Sequence, residues 1–340
     1  MLQKNILSVA KETISNEARA IEELINLVDQ DFTAAVEHIY NAKGRVIITG
    51  IGKSAIIATK IVATLNSTGT PAIFMHAADA IHGDLGTIQE DDVVICTGFR
   101  VGEMYFGGFS QYAKVDSNFL IKNPKSISSE KSMMLGTAGF TALQCSFAIK
   151  AREELLLGEK VKDVLVTGAT GGVGSVAVMV LSKLGYNVTA VTGKMDKAES
   201  LKKLGASTII DRKQFEGEPK LLGKGIWDGV VDTVGGNILA HAISQTKHSG
   251  IVAACGNAGG IKLNTSVMPF ILRGVKLWGI DSVAVSLKRR EFVWSQVLSL
   301  IDFNILNETV KVVSMTELLD IFPQMLNGQT SGRIVVDVNK

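Results

Sequence analysis

The stretch Val164–Ser175, Val-Leu-Val-Thr-Gly-Ala-Thr-Gly-Gly-Val-Gly-Ser, limits what this chain can fold into more than any other. Val164–Val166 is a short apolar run, which predicts a strand buried in a parallel sheet. Glycines at 168, 171, 172 and 174 predict a tight turn after it. Val173, Val176, Ala177, Val180, Leu181 and Leu184 then recur at helical spacing, and a second strand is predicted over Asn187–Val191. A glycine loop alone says little. Set between a strand and a helix it turns backbone N–H groups and a positive helix end toward a pyrophosphate, as in doubly wound α/β sheets.

The residues after the second strand bear on which dinucleotide would bind. An NAD site calls for an acidic side chain there, to accept from the ribose hydroxyls. This chain has Thr192, Gly193 and Lys194 instead. A hydroxyl and a cation suit a 2′-phosphate, so the expected cofactor is NADP(H). The plainer alternative is a doubly wound turn that binds no nucleotide.

Length and composition set the frame. The 340 residues are enough for two domains of ordinary size, and 46% hydrophobic content fits a large α/β core. A net charge of +2 with no basic run gives no electrostatic case for nucleic acid. Cys96, Cys145 and Cys255 are scattered, with no C-x-x-C pair. That speaks against a disulfide framework or a zinc lobe, predicts no metal, and fits a reducing cytoplasm. No apolar run approaches the roughly 20 residues of a membrane span, and the N-terminus lacks an apolar signal core.

Residues 1–42 read as helical, with an amphipathic packing or oligomer helix as the simplest role. Arg45–Gly50 then forms a second strand and glycine turn, continued by Ile51-Gly52-Lys53-Ser54. A G-x-x-x-x-G-K-S phosphate loop would need glycine at 47, where isoleucine stands. Further strands are predicted over Pro71–His76 and Asp92–Thr97, with Ile81-His82-Gly83-Asp84-Leu85-Gly86 between them. The runs Thr49–Ser54, Asn66–Pro71 and His82–Gly86 resemble the first half of a SIS (sugar isomerase) domain of the arabinose 5-phosphate isomerase type. The resemblance implies a sugar-phosphate site with Lys53 holding the phosphate and His82 assisting proton transfer. A solvated lysine at a helix start and an ordinary loop histidine are the plain alternatives. The likeness stops near residue 95. The Ser-x-Ser-Gly loop expected next is replaced by Cys96-Thr97-Gly98-Phe99.

From there to residue 340 the chain resembles the zinc-free, quinone-oxidoreductase-like branch of the medium-chain dehydrogenase/reductases, in the acryloyl-CoA reductase subgroup. The matching runs include Gly107–Ala113, Gly136–Ala142, the glycine loop, Asp232–Gly236, Ala253–Gly256, Met268–Val275, Gly279–Val283 and Gly332-Arg333. The resemblance implies pyrophosphate contacts at Thr170, Gly171, Gly172 and Val173. It implies 2′-phosphate contacts at Thr192, Gly193, Lys194 and Arg212, and nicotinamide-half contacts at Asn257, Ile271, Ser282 and Asn327. Thr137 and Thr141 fall in a helix that faces the nicotinamide in this family, with ordinary helix capping as the alternative. Arg289 and Arg290 read either as a solvated pair or as contacts to a coenzyme A phosphate.

The GroES-like barrel half that opens this family's chains has no counterpart before residue 96. The expected plan is therefore composite: a partial SIS-type α/β sheet over 1–95, a barrel remnant over 96–129, a Rossmann domain over 130–265 and a return to the catalytic domain over 266–340. Three functions stay open: an NADPH-dependent reductase of an enoyl thioester or quinone, a sugar-phosphate isomerase, and a non-catalytic NADP-binding protein. Relatives of both halves are oligomeric, which implies a homodimer.

Overall fold

The computed structural model describes residues 2–50, 53–76 and 92–340. The chain divides into two units, Met1–Thr87 and Ile88–Lys340.

The first unit opens with two helices, α1 (Leu2–Glu23) and α2 (Gln30–Asn41). Asp29 caps α2, its carboxylate accepting from the amides of Asp31 and Phe32 at 3.0 and 3.1 Å. Strand β1 (Val46–Gly50), helix α3 (Lys53–Ser67) and strand β2 (Ala72–His76) follow, and the two strands pair in parallel from Val46↔Ala72. Asn66 fastens the end of α3 to β2. Its side-chain amide donates to Ala72 O at 2.9 Å and its oxygen accepts from Ala72 N at 2.8 Å.

The second unit begins with a short antiparallel pair, β3 (Val94–Cys96) on β4 (Leu120–Lys122), in the register Ile95↔Ile121. A Lys122–Asp92 ion pair of 2.8 Å and the bond from Asn123 N to Val93 O, also 2.8 Å, extend the pairing. The strand where the two sequence resemblances meet is thus built into the second unit.

Helix α4 (Ser129–Leu155) comes next, capped by Ser128 and kinked at Gly136. It is apolar and long enough to cross a membrane, yet most of it is buried inside the protein, with Phe140, Leu143 and Ile149 in the core. Beyond it lie β5 (Asp163–Val166), α5 (Gly172–Lys183), β6 (Asn187–Thr192), α6 (Ala198–Lys203), β7 (Thr208–Asp211), β8 (Trp227–Asp232), α7 (Gly236–Ser244) and β9 (Thr246–Ala254). The chain continues with α8 (Met268–Arg273), β10 (Lys276–Gly279) and α9 (Leu287–Ser295). These strands form one parallel six-stranded sheet in the order β10-β9-β8-β5-β6-β7. Val164, Leu165 and Val166 are fully buried, as are Val176, Ala177 and Leu181 of α5. That is the double-sided burial the apolar run demands. The second strand runs one residue further than its sequence pattern marks, so Thr192 ends β6 rather than following it.

Two short helices, α10 (Val297–Leu300) and α11 (Phe303–Asn307), precede β11 (Val310–Ser314), α12 (Leu318–Leu326) and β12 (Arg333–Asp337). Strands β11 and β12 pair in parallel, apart from the large sheet.

Candidate functional site

The glycine loop shapes the site. Gly168 has φ +59, and a Cβ there would run into the Thr233 hydroxyl. A Cβ on Gly174 would collide with Gly168 O, so the first turn of α5 can lie this close to its strand only without a side chain. Gly171 caps α5 with no side-chain bond, and no acid stands in the first turn. The leading amides of the helix are therefore open to an anion.

A polar knot centred on the fully buried Thr167 and Asp232 fixes the floor. Asp232 accepts from the Thr167 hydroxyl at 2.6 Å and from Gly235 N at 2.8 Å. Thr167 in turn accepts from Thr233 N at 3.1 Å, and Thr233 Oγ1 donates to Thr167 O at 2.9 Å. Burial pushes the Asp232 carboxyl above its ordinary range, against the opposing pull of these donors.

A cleft of about 570 Å³ lies over the loop. Thr170, Gly171, Gly172, Val173, Thr192, Gly193, Lys194, Arg212 and Asn327 all line it, together with Thr233, Val234, Gly259 and Thr330. Among the described residues that line it, none carries a carboxylate. The Thr170 and Thr192 hydroxyls meet at 3.1 Å, and Lys194 N donates to Thr192 Oγ1 at 3.0 Å. The Lys194 ammonium donates to Thr330 O, and burial holds its pKa below the usual lysine value. The Arg212 side chain lies across Gly193, where a Cβ would sit 2.6 Å from its Nε.

Other expected residues fall elsewhere. Asn257 lines a neighbouring recess with Cys255, Gly256 and Asp281, at the carboxyl ends of β9 and β10. Ser282 follows β10, and its carbonyl accepts from Arg290 at 3.1 Å. Ile271 is on α8, 68% exposed and outside the cleft lining. The Thr141 hydroxyl donates to Thr137 O at 2.7 Å, within their own helix. Lys53 is the first residue of α3, in the other unit, and His82 lies outside the described residues. Arg290 is neither solvated nor free to meet a phosphate. It is 1% exposed, because four oxygens and two rings enclose it.

Sequence reasoning also left out two residues. Arg333 lies against the loop: a Cβ on Gly172 would sit 2.9 Å from its Nη1. Its Nε donates to Met134 O at 2.9 Å, and burial alone pulls its pKa down. Thr330 supplies the carbonyl that holds Lys194. The signal for Arg333 was the Gly332-Arg333 pair ahead of the last apolar run. Gly332 N donates to Thr170 O at 2.8 Å, which brings this segment to the glycine loop.

Strand order gives the cleft a direction. Lys194 and Arg212 stand at the ends of β6 and β7, the glycine loop at the end of β5, and the Asn257 recess at the ends of β9 and β10. Ligands of open parallel sheets bind across this carboxyl edge.

The family model described as zinc-binding dehydrogenase matches residues 172–302, and the SIS domain model matches residues 38–101. Among the described residues no three His, Cys, Asp or Glu side chains group as a metal site. A probable acrylyl-CoA reductase, AcuI, of Escherichia coli K12 is 42% identical over 72% of this chain and 75% of its own length. The arabinose 5-phosphate isomerase KdsD of Pseudomonas aeruginosa is 48% identical, over 25% of this chain and 26% of its own. The yhdH oxidoreductase of Salmonella enterica, solved in complex with NADP, superposes with a TM-score of 0.70 at 39% identity, covering 73% of this chain and 75% of that one. The Bacillus subtilis protein yhfP, solved with NAD bound, gives 0.69 at 39% identity, over 74% of this chain and 76% of that one. The chain belongs to the family of acrylyl-CoA reductases and quinone oxidoreductases within the medium-chain dehydrogenase/reductases, and carries a SIS segment ahead of its reductase part.

Proposed function

We propose that this chain is an NADP(H)-dependent reductase, with an enoyl thioester of the acryloyl-CoA type or a quinone-like compound as acceptor. The observation that carries the reading is a cleft with an uncapped α5 N-terminus, two cations at the ends of β6 and β7, and no carboxylate among the described residues that line it. An acidic side chain at the end of β6 would favour the free ribose of NAD; cations favour a 2′-phosphate.

Within this reading, Thr170, Gly171, Gly172 and Val173, helped by Arg333, take the pyrophosphate. Thr192, Gly193, Lys194 and Arg212 take the 2′-phosphate. Asn257, Ser282 and Asn327, with Ile271 on the strength of the family resemblance, serve the nicotinamide half. When bound, NADPH supplies a hydride to the acceptor's β-carbon. The protein's part is to hold the two in register and to meet negative charge on the acyl oxygen with a donor.

Titration with NADPH and separately with NADH, followed by nicotinamide fluorescence, tests the cofactor. Acryloyl-CoA or a quinone is then added and nicotinamide absorbance followed. Binding with consumption supports the reading in full. Binding without consumption makes the chain a nucleotide-binding protein, and no binding refutes the cofactor assignment. The isomerase reading is not pursued, because the chain spans only 26% of the isomerase relative.

Two further points belong to the proposal. The composite plan 1–95, 96–129, 130–265 and 266–340 draws support for a SIS-type front from the match over residues 38–101, while the β3–β4 pairing groups Val94 and Ile95 with the second unit, which begins at Ile88. A homodimer through the sheet edge is supported by β10, an edge strand with Leu277 and Trp278 39% and 48% exposed.

A further inference from the structure

Past the Asn257 recess, the chain runs from β10 through Asp281–Ser286 into α9. Asp281 turns this loop back on itself, its carboxylate accepting from Val283 N at 2.7 Å and Ala284 N at 3.0 Å. Its carbonyl accepts from Gln144 Nε2 of α4 at 2.9 Å. The rest of the loop is held by Arg290. Nε donates to Val285 O at 3.0 Å, and Nη2 donates to Ser282 O and Val283 O at 3.1 and 3.0 Å. Nη1 donates to Thr97 Oγ1 at 2.8 Å, across 193 residues of sequence. The guanidinium lies 4.3 Å from the ring centroid of Phe99 and 5.1 Å from that of Phe140.

The segment it reaches is strained to receive it. Gly98, Phe99 and Arg100 have φ of +73, +51 and +59, a left-handed run that includes two residues with side chains. Phe99 N donates to Val283 O at 2.9 Å. A Cβ on Gly98 would sit 2.5 Å from Arg290 Nη2 and 2.6 Å from Ser282 O, so only glycine lets the two segments meet.

Every bond Arg290 makes is to a neutral oxygen. The Asp281 carboxylate offsets part of the burial of this charge but makes no hydrogen bond to it, so burying the cation is still costly, and a packed apolar side chain could fill the space between the rings without that cost. A rigid five-donor fork can do what an apolar side chain cannot: hold three carbonyls and a hydroxyl from two segments in one geometry. We infer that Arg290 is a positioning residue for the nicotinamide half of the cofactor, setting the backbone at Thr97–Phe99 and Ser282–Val285 without touching the ligand itself. The inference rests on the cofactor reading above.

The test uses the full chain with Arg290→Lys, which keeps a cation and gives up the fork. Two ligands are titrated: NADPH, by nicotinamide fluorescence, and adenosine 2′,5′-bisphosphate, by calorimetry, which lacks the nicotinamide half. NADPH affinity should fall about tenfold, the loss of one or two charged hydrogen bonds' worth of order, while bisphosphate affinity changes less than about twofold. Amide exchange should quicken across residues 281–286 and stay unchanged in β5, β6 and β8. Thr97→Val, which removes a single acceptor and leaves Arg290 in place, should move both readouts the same way by a smaller factor. Equal weakening of the two ligands, or of neither, overturns the assignment, and so does unchanged exchange in 281–286. If the parent chain binds the bisphosphate but not NADPH, the positioning role is lost with the nicotinamide half. If it binds neither ligand, the cofactor reading fails first and takes this inference with it.

Discussion

Thr167→Val removes one hydroxyl from the floor of the cleft at almost no change in volume. Thr167 and Asp232 are both fully buried, so water cannot replace what is lost. The hydroxyl gives Asp232 a 2.6 Å bond and receives one from Thr233 N at 3.1 Å. A hydrogen bond to a charged group contributes about 1.5–3 kcal/mol, and a buried amide left without an acceptor costs about 1–3 kcal/mol. The variant should therefore be about 2.5–6 kcal/mol less stable than the parent at neutral pH. The deficit has a definite pH dependence. Burial already raises the Asp232 carboxyl, and the Thr167 bond lowers it, so losing that bond raises it further. A carboxyl with a raised folded pKa binds protons more tightly in the folded state, so stability falls as pH rises from the unfolded value of about 3.9 through the folded one. The gap between variant and parent should be full at neutral pH and shrink as pH approaches about 4. Urea unfolding followed by tryptophan fluorescence measures it cleanly. Trp227, Trp278 and Trp294 all lie in the second unit, so the signal reports that unit alone. A deficit under about 1 kcal/mol, or one that does not change with pH, would show that the knot is not what fixes these loops.

Arg212→Ala should weaken NADPH binding by about tenfold and leave NADH binding unchanged, read by parallel fluorescence titrations, because the exposed guanidinium contributes roughly one charge-assisted contact. The same preference for NADPH should narrow as salt rises, since Arg212 faces solvent. Gly174→Ala should destabilise the second unit by about 2 kcal/mol or more in the same urea assay, since its Cβ meets Gly168 backbone rather than a side chain that can swing away. Leu277→Asp should convert a dimer to monomer in light scattering without weakening cofactor binding; an unchanged mass rules out the β10 edge as the contact.

What could be read from the sequence, and what could not, divides by distance along the chain. The strand, glycine loop and helix of 164–184 announce themselves because apolar spacing and turn chemistry act between neighbours. For the same reason all eight residues assigned to the phosphates gather in one cleft with Asn327, and no others of the site list are among them. Strand order, and with it the direction of the cleft, depends on pairings such as Val164↔Gly229 that no local pattern encodes. Arg290 shows the limit most clearly. As one of two adjacent arginines on a helix it reads as solvated surface; three of its acceptors are nearby carbonyls, but its hydroxyl partner Thr97 and the rings of Phe99 and Phe140 that enclose it lie far upstream. Arg333 escapes for the same reason, since its carbonyl partner at Met134 lies 199 residues away. Lys53 and His82 were legible as a motif, but a sugar-phosphate site needs partners beyond the quarter of the isomerase that this chain retains.

The tie between Gly332 N and Thr170 O has a consequence for how the protein is made. The glycine loop and all six strands of the large sheet precede residue 280, whereas the pieces that fasten and flank the loop come from 327–333. Chains emerge from the ribosome at about 5–20 residues per second, N-terminal parts first. For the last seconds of synthesis, then, the sheet can be complete while its nucleotide groove still lacks one side. A chain stalled or clipped before residue 327 would lose Val335 and the partner strand of β11 but keep most of its hydrophobic core, and lose its grip on the cofactor. Retention on an immobilised nucleotide would thus sort finished molecules from nearly finished ones, a distinction that solubility or secondary-structure content would miss.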